Sequence, residues 1–390
     1  VSLTFSGPLA AQDRRLAPDV AERFQRQTRE AEAAGLAEPF RGVTTDGTLE
    51  PGLFPLRQTG VSTEPVREAA LAFRASLSPT QFAATARPVD DDEWRRWMNQ
   101  HFYLREGISF AEMAPAQRQA AIGLLQASLS AQGLRQTRDI MRLNTTLGEL
   151  TGNFAEYGED LYHFTMMGEP SATEPWGWQL DGHHLIINYF VLRDQVVMTP
   201  TFMGSEPRTA TAGVHAGTTV LQAEESQGLA LMTSLNPAQQ RQAMLSTPKG
   251  RANNLAEAWR DNLVLDYAGI RATSLTPAQR SQLLELIGQH VSNMREGHAR
   301  VRMEEVRQYL DRTYFAWIGS TAADGVFYYR VHSPVILIEF DHQGPIGLPG
   351  DRQAPTRNHV HSIVRTPNGN DYGRDLLRQH YRGRTGPHRH

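Results

Sequence analysis

Matched residues recur in this chain at one fixed spacing, and that recurrence limits the folds open to it. His163-Phe164, Gly168, Trp178 and Leu185-Ile186-Ile187-Asn188-Tyr189 are answered 151 residues later by Tyr314-Phe315, Gly319, Tyr329 and Ile336-Leu337-Ile338-Glu339-Phe340. Ahead of each set stand proline-headed segments: Leu77-Ser78-Pro79-Thr80-Gln81, Met113-Ala114-Pro115-Ala116-Gln117, Leu235-Asn236-Pro237-Ala238-Gln239 and Leu275-Thr276-Pro277-Ala278-Gln279. Pro79 and Pro237 are 158 residues apart, Pro115 and Pro277 162. Ser, Asn and Thr before proline suit a helix start, because their side chains accept from free backbone N–H groups and proline has none to satisfy. Ala114 is the weak member. Repeats this long, kept in order, imply duplicated domains rather than a solenoid.

Each half reads as helices followed by strands. Leu283, Ile287, Val291, Met294, His298 and Val301 recur at helical spacing and predict one long helix running on from Pro277. Ile122, Leu125 and Leu129, then Ile140, Leu143, Leu147 and Leu150, predict helices in the first half. Strands are expected at 176–180, 184–192 and 195–202, with turns at Asp181-Gly182 and Arg193-Asp194, and again at 326–331, 335–340 and 359–365. The expectation is therefore an α+β fold, internally duplicated. Each half would hold helices followed by a three-stranded antiparallel meander, the two joined into one sheet with helices packed on it. The divisions are 1–62, a helix at 19–34 followed by an extended wrapping segment; 63–210, the first half; and 211–390, the second.

Composition removes several chemistries. The 390 residues include no cysteine, so disulfides, thiolate nucleophiles and cysteine-held metals are excluded and any metal must be held by nitrogen and oxygen. Of 39 basic residues only Lys249 is lysine, which makes Schiff-base chemistry a poor fit. A net charge of −3 with no dense arginine stripe argues against nucleic acid, and no apolar run is long enough to span a bilayer. No G-x-S-x-G, H-E-x-x-H, Walker or G-x-G-x-x-G pattern stands in a suitable place. The chain begins with Val, so a removed export signal is compatible with it.

Seven of the fourteen histidines lie at or beyond His332. His388 and His390 belong to a Gly-Pro-Arg tail that reads as solvated, and His332 and His342 read as loop residues. His359-Val360-His361 is the sharpest signal, because alternate residues of a strand point to one face and bring two imidazoles to metal-binding distance. A third ligand is expected from His380, on a terminal helix with Leu376 and Leu377, with a satisfied core histidine as the competing reading. Glu339, in an apolar strand where a carboxylate needs a partner, is the choice for an oxygen ligand or general base; a structural pairing with Arg330 or Arg365 competes with that role. Asp371, among the catalytic candidates, and Arg365, among the substrate-binding ones, are expected to stand behind the ligands and fix the imidazoles or the substrate.

In the first half, Trp176-Gly177-Trp178 precedes Asp181-Gly182-His183-His184. Adjacent strand residues face opposite sides, so one of His183 and His184 is expected at the site unless a bulge intervenes. His184 is taken as a catalytic group and His183 as substrate-binding. Trp176 and Trp178 are candidates for a substrate-stacking wall, with core packing as the competing reading. His101, His163 and His298 read as structural.

Trp176-Gly177-Trp178 through Gly182-His183-His184 to Thr199-Pro200, then His359-x-His361 and Asn370-Asp371-Tyr372-Gly373-x-Asp375-Leu376-Leu377-x-x-His380-Tyr381, resembles a bacterial and fungal family known as domain of unknown function 3500. The likeness spans nearly the whole chain. It implies a periplasmic or extracellular setting, with a cytoplasmic one left open, and no particular activity. The residues themselves point to a divalent metal, zinc first, with copper, iron or manganese as alternatives. The expected function is metal-dependent hydrolysis of a small-molecule, carbohydrate or peptide substrate. The rivals are an oxidoreductase using another metal at the same site and a non-catalytic carbohydrate- or peptide-binding protein.

Overall fold

A computed structural model describes residues 18–383, so His388 and His390 lie outside the described residues. Among the described residues ten α-helices, α1 (Pro18–Leu36), α2 (Glu64–Ser76), α3 (Pro79–Thr85), α4 (Pro115–Ser128), α5 (Ala131–Thr151), α6 (Gln222–Ser234), α7 (Pro237–Ala243), α8 (Pro277–Val291), α9 (Glu296–Gln308) and α10 (Arg374–Arg382), accompany one sheet. Its strands are β1 (Ala86–Arg87), β2 (Ile108–Ser109), β3 (Tyr162–Met167), β4 (Trp176–Gly182), β5 (Leu185–Leu192), β6 (Gln195–Val197), β7 (Thr201–Ser205), β8 (Met244–Ser246), β9 (Ile270–Arg271), β10 (Tyr314–Gly319), β11 (Phe327–His332), β12 (Leu337–His342) and β13 (Val360–Arg365). The class is α+β.

The proline-headed segments do start helices. Ser78, Asn236 and Thr276 cap α3, α7 and α8 through their side chains. Ala114 has no such oxygen, and Gln117 at the third helical position accepts from its backbone N–H instead, at 2.8 Å. The glutamines of these segments also meet each other: Gln117 donates to Gln81 at 2.7 Å, and Gln239 to Gln279 at 3.0 Å.

The strand order is β1-β3-β4-β5-β7-β13-β12-β11-β10-β8, with β2 on β3, β6 on β5 and β9 on β10. Both faces are covered, which is why strands such as β4 and β5 are buried along their whole length. One face, carrying Trp176, Trp178, Tyr189, Met203 and Ile338, packs against the helices. The other, carrying Ile186, Phe190, Phe202 and Ile363, packs against Trp94, Trp97, Tyr372 and α10.

Three expectations need correction. The segment 195–202 is not one strand: β6 pairs with β5, the chain passes through a cis Thr199–Pro200 bond, and β7 then pairs with both β5 and β13. The long helix from Pro277 is two, because the chain between α8 and α9 is engaged with the first half; the Asn293 carbonyl accepts from Ser130 N at 3.1 Å, and Leu129 bridges to Met294. His332 and His342 are not loop residues either, since they end β11 and β12 and are fully buried.

Candidate metal centre

β4 and β5 are joined by a two-residue turn made of His183 and His184, so the turn falls after Asp181-Gly182 rather than on it. His184 has φ 61°, a left-handed conformation that a bulky residue adopts only when its surroundings fix it. They do: His184 N donates to Asn99 O at 3.0 Å, and Gly204 N on β7 donates to His184 O at 2.8 Å. In a turn the strict alternation of a strand is lost. Both imidazoles therefore come to one side, stacked with ring centres 4.0 Å apart.

Gly204 is also the register partner of His361 on β13. A Cβ here would meet Val360 O at 2.7 Å and His361 Cδ2 at 3.2 Å, so glycine is what lets the His361 ring lie over β7 beside His184. Among the described residues, His184, His359 and His361 form a buried group whose ring nitrogens could hold a metal ion. Nε2 of His359 lies 3.2 Å from Nε2 of His184 and 3.0 Å from Nε2 of His361.

The tautomers follow from what the other ring nitrogens touch. His359 Nδ1 lies 2.8 Å from Gly344 O, and His361 Nδ1 2.8 Å from a Glu257 carboxylate oxygen. Both partners are acceptors, so both Nδ1 atoms carry the hydrogen and both Nε2 atoms present lone pairs. Two lone pairs facing at 3.0 Å with no proton between them repel. Protonation would remove the conflict, yet burial, followed by the neighbouring imidazoles, holds His184 and His361 well below the usual imidazole range. A cation held at the common point would resolve it, and the three ring nitrogens lie close enough to one another to hold one.

Glu257 is delivered by a loop that the sheet holds with buried charges. Glu339 accepts from Leu255 N at 3.0 Å and Ala256 N at 2.8 Å, and Tyr328 Oη donates to it at 2.6 Å. Asp341 accepts from Asn253 N at 2.7 Å and pairs with Lys249, the chain's one lysine, also at 2.7 Å. Arg365 donates to Ala256 O at 2.6 Å and Glu257 O at 2.9 Å, and is itself held by Asp261 and Asp371. Glu339 is fully buried, and desolvation raises its carboxyl above the usual range against the hydrogen bonds it accepts.

The three rings open onto a cavity of about 840 Å³, part of it continuous with solvent. His101, Tyr157, His183, Arg251, Asn254 and Gln343 stand on its walls, as does the loop after β12 at Ile346 and Gly347. Glu206 ties that loop down by accepting from Ile346 N and Gly347 N, at 3.0 and 2.8 Å. His183 Nδ1 lies 2.8 Å from Asn144 Oδ1, whose amide nitrogen is committed to Gly158 O at 3.0 Å. The Asn144 oxygen thus faces the ring, so Nδ1 donates and Nε2 of His183 is left as a base.

The model of the family described as "Protein of unknown function (DUF3500)" matches residues 59–374. The chain belongs to the DUF3500 family. No curated protein and no solved structure matches it. Within this DUF3500 chain the match takes in all three clustered histidines and ends before His380.

The sequence expectations divide accordingly. His359 and His361 come together as read, and the third ring is that of His184, expected as a catalytic group. His380 is elsewhere: it sits 3.4 Å from Glu174, just ahead of β4, whereas His184 follows the far end of that strand, roughly 20 Å away at 3.3 Å per residue. Glu339 faces the backbone of the 253–257 segment and does not line the cavity. Asp371 accepts from Arg365 and from Thr366 N at 2.6 Å, so it fixes no imidazole, and the fully buried Arg365 reaches no substrate. Trp176 and Trp178 are fully buried on the helix-packed face, with Trp178 stacked on Tyr189 at 5.2 Å; they build core, not a stacking wall. His183 does line the cavity. Sequence reasoning missed His101, Tyr157, Glu206 and Glu257.

Proposed function

We propose that this protein is a metal-dependent hydrolase whose three imidazoles, His184, His359 and His361, hold one divalent ion, zinc first. The observation that carries the reading is the 3.0 Å approach of two Nε2 atoms whose rings already spend their hydrogens on Gly344 O and Glu257. A zinc ion held by three neutral imidazoles keeps a position for water and lowers its pKa to near 7.

The chain's own groups then have definite tasks. Glu257 and Gly344 O keep the donor nitrogens aimed inward, as acceptors behind metal-bound histidines do. Nε2 of His183, on the cavity wall and beside His184, accepts a hydrogen bond from the attacking water and orients it; burial, followed by the His184 ring, holds this imidazole well below the usual range, so it positions the water and does not keep its proton. Arg251, Asn254 and Gln343 supply donors for the oxygens of an ester or amide entering from a small molecule, a carbohydrate or a peptide.

The test uses the full chain, produced without a histidine tag, against a panel of activated esters, acetylated sugars and peptides. Hydrolysis is expected to stop with chelator, to return with zinc and to be absent from the His359→Ala variant. Hydrolysis indifferent to chelator would overturn the reading. Oxygen consumption by copper-, iron- or manganese-loaded protein, with no hydrolysis, would move the site to the oxidoreductase class.

A further inference from the structure

On the other side of β7 and β13 lies a second cavity, between the sheet and α5, α8 and α9, whose roughly 890 Å³ of empty space includes its opening to solvent. Ser362 lines it, whereas its neighbour His361 points to the metal group. Most of its wall is apolar, from Met198, Met203, Leu221, Val291, Met294 and Val364. Thr366 and Ser362 both border it, so along β13 it runs roughly 13 Å at 3.3 Å per residue.

Two buried polar side chains in this wall have an atom without a partner. Asn293 is 4% exposed and His298 3%, and neither Asn293 Oδ1 nor His298 Nε2 meets a hydrogen-bonding group of the protein. A buried acceptor left so is destabilising, which makes the pair a demand for something in the cavity. Asn293 Oδ1 requires a donor, and a neutral imidazole nitrogen takes either role. Among the described residues of the wall no cation is free to receive an acid: Arg302 is engaged by Glu305 at 2.8 Å, Val335 O at 2.6 Å and Thr366 Oγ1 at 3.0 Å.

We propose that this cavity binds an apolar chain bearing a hydroxyl group, an aliphatic alcohol, with Asn293 and His298 receiving the hydroxyl. A hydroxyl both donates and accepts, which matches the two groups. The alkyl part replaces contacts that water would leave unmade.

The experiment titrates the full chain with octan-1-ol, octane and octanoate by calorimetry. Octan-1-ol is expected to bind saturably, one per chain, roughly ten-fold tighter than octane and tighter than octanoate. Asn293→Leu should narrow the alcohol–alkane ratio to near one. Val301→Trp, which puts an indole into the cavity, should weaken octan-1-ol binding at least ten-fold while keeping the metal content of the opposite face. No saturable binding of octan-1-ol by the wild-type chain means water only and overturns the proposal, as does equal affinity for octane or preference for octanoate. The wild-type comparison stands even where a variant does not fold. It is also independent of hydrolysis.

Discussion

Glu257 accepts the Nδ1 hydrogen of His361 at 2.8 Å, and through that contact a loop fastened to β12 sets the tautomer of a histidine on β13. A carboxylate behind an imidazole raises the basicity of the far nitrogen and fixes the ring plane. Glu257→Ala should weaken metal affinity roughly 10- to 100-fold with little change in fold, and Glu257→Gln by less, because an amide oxygen still accepts. Competition with a chromophoric chelator measures this. Equal affinity in all three proteins would contradict the role.

Gly204 predicts a steric effect. The methyl of Gly204→Ala would lie against the Val360 carbonyl and the His361 ring, so strand and imidazole cannot both stay in place. Metal affinity should fall at least as far as in Glu257→Ala, with a stability cost of about 1–3 kcal/mol. Wild-type metal affinity in this variant would show that the approach of β7 and β13 does not set the site.

Glu339 separates anchoring from catalysis. Removing its carboxylate leaves Leu255 N, Ala256 N and Tyr328 Oη without their acceptor, so Glu339→Ala should cost roughly 3 kcal/mol in urea unfolding. Any activity of Glu339→Ala or Glu339→Gln should track the metal bound. A Glu339→Gln protein fully loaded with metal, normally stable and inactive would instead make Glu339 a general base.

Stability should depend on pH through buried neutral histidines. Desolvation, the largest cause in each case, takes His290 and His332 to about 3 and His298 to about 4. The unfolded chain protonates these rings near 6.5 and the folded chain does not, so stability falls as the pH drops from about 6.5 towards 4. Each ring contributes at most roughly 1.4 kcal/mol per pH unit across that window. The urea midpoint from pH 7.5 to 4.5 checks it, and a flat midpoint would contradict the burial argument.

The parts of this structure legible in the sequence are those governed by local rules. Capping residues beside Pro79, Pro237 and Pro277 announced helix starts because the hydrogen bonds are made within one turn. His359-x-His361 announced convergence because a strand alternates. What local rules could not give is which distant side chain arrives. His184 and His380 were both available, and only the turn at His183-His184, with its left-handed residue held by Asn99 O and Gly204 N, brings the former to β13. Glu339 looked like a base because a carboxylate among apolar residues needs a reason. The reason was a set of backbone N–H groups 83 and 84 residues away, invisible to spacing.

Three imidazole nitrogens that share one metal ion leave a stoichiometry that elemental analysis of the untagged protein reads without assuming a substrate. Inductively coupled plasma mass spectrometry should find about one divalent ion per chain, zinc foremost, and near none in the His359→Ala, His361→Ala double variant. A wild-type chain that remains metal-free after incubation with zinc, copper, iron and manganese, or a double variant that keeps the ion, would contradict it.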